Sequence, residues 1–99
     1  MIRILLTGKD GQVGWELQRS LQCLGDVVAI GREQCDLADA DGLRGLVRST
    51  RPDLVINTAA FTAVDKAESE PGFALAINTQ APSILAEEAH ALGAALIHF

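Results

Sequence analysis

A short apolar run, a turn with regularly spaced glycines and an amphipathic stretch follow one another in the first two dozen residues. No other feature constrains the fold of this chain as strongly. Ile2 to Thr7 is a short, mainly apolar run stopped by glycine, the pattern of a buried strand. Gly8, Gly11 and Gly14 then stand at GxxGxxG spacing in Thr7-Gly8-Lys9-Asp10-Gly11-Gln12-Val13-Gly14. Behind them Val13, Leu17, Leu21 and Leu24 recur every three or four residues, which predicts a helix with one buried face. A strand that passes through spaced glycines directly into a helix suits phosphate binding. The first glycine permits a tight turn with positive φ. The second lets the backbone approach a pyrophosphate, and the third lets the helix pack closely on the strand. The N–H groups and dipole at the start of the helix then face the phosphates. A glycine-rich βα turn without a ligand is the plain alternative. The position of this turn, in the first unit of an alternating chain, favours the binding reading.

The alternation continues to the last residues. Gly25-Asp26 reads as the close of the first helix, and Val27 to Ile30 as a second apolar run with Gly31 behind it. Asp36 to Asp41 carries helix-start signals, and Leu43, Leu46 and Val47 form a helical stripe that Pro52 ends. Leu54-Val55-Ile56 is a third strand. A long helical stretch is expected from about Glu70 to Leu92, stopped by Gly93, with a fourth strand from Ala94 to Phe99. Apolar strands separated by amphipathic helices imply a parallel sheet covered on both faces, hence an α/β, Rossmann-type, doubly wound fold. Residues 1–99 are expected to be the N-terminal β-α-β-α-β-α-β portion of an NAD(P)-binding domain. The rest of that domain would lie in further chain.

Composition excludes several function classes. The formal net charge is −5 with no Lys/Arg cluster, which argues against nucleic acid and anionic membranes as partners. No apolar run approaches the ~20 residues needed to span a bilayer. Cys23 and Cys35 lack metal-ligand spacing and read as reduced thiols. With no signal-peptide pattern, the expected location is the cytoplasm.

Candidate ligand residues cluster where strands end. Gly8, Gly11, Gln12, Val13 and Gly14 form the turn. At the end of the second strand an acidic residue would favour NAD, and a basic one the 2′-phosphate of NADP. Gly31-Arg32 stands there, with Glu33 one residue on. Arg32 can pair with a 2′-phosphate and stack on adenine, a solvated surface charge being the plain alternative, so NADPH is the expected cofactor, with NADH the other choice. Asp36 can accept from the adenine amino group and Leu37 can cover the ring, while Asp39 is better placed to N-cap the next helix. Ala59 and Ala60 suit a backbone lying close to a flat ligand, followed by Phe61 and Thr62; Asn57 is expected to tie loops together. Pro82 should kink a helix near Asn78. His90 and His98 read as structural, and no metal ligands are expected.

The segment Leu5-Leu6-Thr7-Gly8-Lys9-Asp10-Gly11-Gln12-Val13-Gly14-Trp15-Glu16-Leu17 resembles the opening of the dTDP-4-dehydrorhamnose reductase family of extended short-chain dehydrogenases/reductases. The stretch from Arg51-Pro52-Asp53 through Ala60-Phe61-Thr62-Ala63-Val64-Asp65-Lys66-Ala67-Glu68-Ser69-Glu70-Pro71 is similar to the same family and is the more specific part. The resemblance covers essentially the whole chain. It implies NADPH- or NADH-dependent reduction of dTDP-4-dehydro-L-rhamnose to dTDP-L-rhamnose, which feeds bacterial cell-surface polysaccharide. By position it gives cofactor contacts to Gly11, Gln12, Val13, Gly31, Arg32, Asp36, Leu37, Ala60, Phe61 and Thr62. Family members often carry an acidic residue where Gly31 stands and His where Phe61 stands. Asn78 resembles the asparagine that in many such reductases holds a water near the catalytic lysine. The family's Ser/Thr and Tyr-x-x-x-Lys lie beyond the fourth strand, and this chain has no tyrosine. No catalytic residue is therefore expected within it, and hydride transfer by this chain alone is not expected. The sugar-binding domain lies further on, as does the Mg²⁺ site that some members have at a homodimer contact. Two other readings stay open: a noncatalytic dinucleotide-binding regulatory subunit, and another sugar-nucleotide reductase or epimerase.

Overall fold

The computed structural model describes residues 2–9, 11–31, 39–58 and 80–98. β1 (Ile2–Thr7) is the axis of a parallel sheet. It pairs with β2 (Gly25–Ile30) on one side and β3 (Leu54–Asn57) on the other, and β4 (Ala95–His98) extends the sheet beyond β3. The order is β2-β1-β3-β4. Ile4 to Thr7 are all buried, because helices cover both faces; this is why the run reads as continuous rather than alternating.

From β1 the chain moves through α1 (Gln12–Ser20) and a 3₁₀ turn (Leu21–Cys23) to β2 at one edge. It then returns past β1 to β3, with α2 (Ala40–Thr50) in the crossover, and continues through α3 (Ala81–Leu92) to β4. Right-handed crossovers in opposite directions place their helices on opposite faces. One core accordingly joins Leu5 and Val55 to Leu43 and Val47 of α2 and to Ile84, Leu85 and Ala89 of α3. The other joins Ile4, Leu6 and Ile56 to Leu17 of α1 and Leu21. The expected doubly wound architecture is present, and its reversal of direction falls between β1 and β3.

Local signals act as the sequence suggests at several ends. Asp39 caps α2, its Oδ1 accepting from the Gly42 N–H at 3.2 Å. Arg51 closes α2 in the left-handed region (φ 51°), with Pro52 behind it. Gly93 closes α3 at φ 71°, and the Ala94 N–H donates back to the Ala89 carbonyl at 2.8 Å. Pro82 is the second residue of α3. Glu88 of α3, almost fully buried, accepts from Arg48 (Nε 3.1 Å, Nη2 2.9 Å) and Arg44 (Nη1 3.2 Å) of α2.

Three expectations need correction. Gly25-Asp26 is the start of β2 rather than the close of a helix. A Cβ on Gly25 would come within 2.3 Å of the Ile2 carbonyl oxygen, so this glycine serves close strand pairing. Val13 and Leu24 do not belong to the buried face of α1: they are 48% and 63% exposed. The face that packs is Gly14, Leu17 and Leu21, because Gly14 draws the helix against the turn and sets its rotation. The fourth strand spans Ala95–His98 rather than beginning at Ala94. The part of the expected long helix before residue 80, with the kink at Asn78, lies outside the described residues. Among the described residues no helix is long and apolar enough to cross a membrane.

Candidate dinucleotide site

In an open α/β sheet the ligand crevice lies beyond the carboxyl ends of the strands, where the strand order reverses. Here that point is flanked by Thr7-Gly8 at the end of β1 and Asn57-Thr58 at the end of β3. Gly8 has φ 82°, a conformation costly for a residue with a Cβ. The turn it begins is tied to the strand on the other side of β1: the Gly8 and Lys9 N–H groups both donate to the Ile30 carbonyl, at 3.0 and 3.2 Å. The Gly11 N–H closes the turn on the Gly8 carbonyl at 3.1 Å. Thr58 secures the far side. Its N–H and hydroxyl donate to the Thr7 carbonyl at 3.2 and 2.8 Å, and the hydroxyl also lies 3.3 Å from the Gly8 carbonyl.

The three glycines do different work. At Gly14 a Cβ would stand 1.9 Å from the Gly8 oxygen and 2.9 Å from Thr58 Oγ1, so this position is glycine for packing. At Gly11 the backbone is extended (φ −79°, ψ 166°) and, among the described residues, a Cβ would meet only the Gly8 oxygen, at 3.5 Å. Neither conformation nor packing among the described residues demands glycine there. What the missing Cβ leaves is open approach to the backbone at the start of α1. Gly11 is also the N-cap of α1 and has no side chain with which to cap it. The first turn of α1, Gln12, Val13 and Gly14, thus carries the exposed positive end of the helix dipole beside that opening. Trp15, half exposed, follows with the Arg19 guanidinium 5.2 Å over its ring.

Gly8, Gly11, Gln12, Val13 and Gly14 are therefore together in one turn, and Gly31 lies buried just past the end of β2. Arg32, Asp36, Leu37, Ala59, Ala60, Phe61, Thr62 and Asn78 lie outside the described residues. Two features were not foreseen. Thr58 bridges β3 to the glycine turn. Asn57 ties strand ends rather than loops: its Oδ1 accepts from the Thr7 hydroxyl at 2.6 Å, and its Nδ2 is 2.9 Å from His98 Nδ1. The signal available in the sequence was the polar residue that terminates each of three apolar strands.

A family model for the RmlD substrate binding domain matches residues 2–99. The chain belongs to this family. It is 49% identical to dTDP-4-dehydrorhamnose reductase of Escherichia coli (strain K12) over 102 residues, covering 99% of this chain and 34% of that protein. Among solved structures it is similar to dTDP-4-dehydrorhamnose reductase from Bacillus anthracis in complex with NADP. That similarity has TM-score 0.85 and 31% identity, over 96% of this chain and 34% of the other. It is also similar to the Thermus thermophilus UDP-glucose 4-epimerase complex with NAD, with TM-score 0.77 and 25% identity, over 93% of this chain and 35% of the other. The chain spans about a third of the length of the curated relatives it matches.

Proposed function

We propose that this chain is the cofactor-binding portion of an NADPH-dependent reductase that converts dTDP-4-dehydro-L-rhamnose to dTDP-L-rhamnose. The observation that carries the proposal is Gly11. Among the described residues nothing requires glycine there, and Gly11 stands at the uncapped start of α1, at the switch point of the sheet. That is a cradle for a pyrophosphate. Gly8 shapes the turn, Gly14 seats the helix, and the backbone of Gln12 and Val13 offers donors. Arg32 is assigned to the 2′-phosphate, Asp36 and Leu37 to adenine, and Ala59, Ala60, Phe61 and Thr62 to the part of the cofactor beyond the pyrophosphate. Membership of the family and the named relatives support the reading.

When bound, NADPH would supply a hydride for the 4-keto carbon. The residues of this chain bind and orient the cofactor. In this reading the proton for the carbonyl oxygen comes from the tyrosine of the family's Tyr-x-x-x-Lys pair, a residue type this chain does not contain. Residues 1–99 are thus assigned to the NAD(P)-binding domain, and the sugar site, any Mg²⁺ site and any homodimer contact to the remaining two thirds of a family-length protein. A cytoplasmic location completes the proposal. The 99-residue chain alone is expected to bind NADPH without oxidising it when the keto-sugar is added, followed by the absorbance of the reduced nicotinamide. Cofactor choice is tested at Arg32: the Arg32→Ala variant should lose most of its preference for NADPH over NADH, and an unchanged affinity ratio would sink the assignment.

A further inference from the structure

Three side chains at the carboxyl ends of neighbouring strands form a continuous row. Thr7 pairs with Asn57 in the β1–β3 register, and Asn57 pairs with His98 in the β3–β4 register. All three stand on the face that carries α2 and α3, since each follows by two a residue of that core: Leu5, Val55 and Leu96. Thr7 and Asn57 are buried, and His98 is exposed. The Thr7 hydroxyl donates to Asn57 Oδ1 at 2.6 Å, and Asn57 Nδ2 lies 2.9 Å from His98 Nδ1.

The row has a direction. A carboxamide accepts only at oxygen and donates only at nitrogen. With Oδ1 turned to the threonine hydroxyl, the amide presents its NH₂ to the imidazole. His98 Nδ1 must then be the acceptor, and the ring proton must sit on Nε2. The reverse order, with Nδ1–H donating to the amide oxygen, would turn the NH₂ toward Thr7 and require its hydroxyl to find another acceptor. Among the described residues the Thr7 hydroxyl donates to Asn57 Oδ1, which fixes the first of these two orders. The same two strand ends that flank the crevice are thus the ones the row joins.

We propose that His98 is a positioning residue for this crevice, held as the Nε2–H tautomer by the Asn57 amide and in turn fixing that amide and the Thr7 hydroxyl behind the glycine turn. His98 acts through Asn57. The link to cofactor binding rests on the proposed function; the tautomer does not.

Long-range ¹H–¹⁵N correlation on the intact gene product reads the ring directly. The expected spectrum has His98 with an unprotonated Nδ1 and a protonated Nε2, and a protonated Nδ1 in the neutral ring would overturn the proposal without any variant having to fold. Asn57→Asp replaces the donor facing the ring by an acceptor, so His98 should become protonated at Nδ1; an unchanged Nε2–H tautomer in that folded variant would show that Asn57 does not govern the ring. For positioning, His98→Gln, which keeps an acceptor, should bind NADPH within about twofold of wild type, and His98→Leu about fivefold more weakly, the scale of one lost hydrogen bond. Wild-type affinity in folded His98→Leu would overturn the positioning role. A wild-type protein that binds no NADPH would overturn the functional reading instead, and the tautomer would still decide the row.

Discussion

Gly11 and Gly14 lie three residues apart and are glycine for unrelated reasons. Gly14→Ala puts a methyl group into the Gly8 carbonyl. Backbone against backbone cannot yield cheaply, so the variant should lose about 1–3 kcal/mol of stability, read by chemical denaturation. Among the described residues Gly11→Ala meets only an ordinary contact, in an extended conformation. There alanine restricts the unfolded chain but caps a helix less well than glycine, and the two effects oppose. Its stability should stay within about 1 kcal/mol of wild type, measured the same way. The spacing of the glycines and the division of labour among them were both legible in the sequence; the atoms that crowd Gly14, the Gly8 carbonyl and Thr58, were not, because they depend on where those groups sit in space. Asn57 shows the same limit. A polar residue ending an apolar strand was visible, but its partners, Thr7 and His98, are 50 and 41 residues away.

Between elements, α2 and α3 are joined through Glu88. Hydrogen bonds from Arg48 hold the Glu88 carboxyl below the ordinary carboxylate range; burial opposes this, and Arg44 adds to it. A carboxylate with a lowered folded-state pKa stabilises the fold above its unfolded value, about 4.3 for glutamate. That stability is lost as pH falls through the lower folded-state value. Glu88→Gln should therefore lower the melting temperature at neutral pH, and the gap from wild type should close as the solution is acidified through the carboxylate range. At the other end of α2, Asp39→Ala removes the cap on Gly42 and should cost about 1 kcal/mol in denaturant unfolding. Helix ends were readable here because capping is local: Asp39, Pro52 and Gly93 each act within a few residues. The start of β2 and the rotation of α1 were not. Gly25 looks like a stop signal until it is set against Ile2, and Val13 fits the helical period as well as Gly14 until packing on the turn selects between them.

At the scale of the molecule, alternation of apolar strands and amphipathic helices was sufficient to specify a parallel, doubly wound sheet. What the pattern left open was which pair of strands forms the reversal, since that is a matter of long-range pairing. The order β2-β1-β3-β4 puts it beside the glycine turn. The opening at Gly11, the uncapped start of α1 and the crevice consequently coincide. The function proposed for the crevice depends on a dinucleotide phosphate occupying that opening. Titration of NADPH against the wild-type protein and Gly11→Ala, with unfolding curves for both, tests it most directly. Saturable binding to wild type is predicted, with affinity at least about tenfold weaker in an equally stable Gly11→Ala; equal affinities for the two proteins would contradict the account.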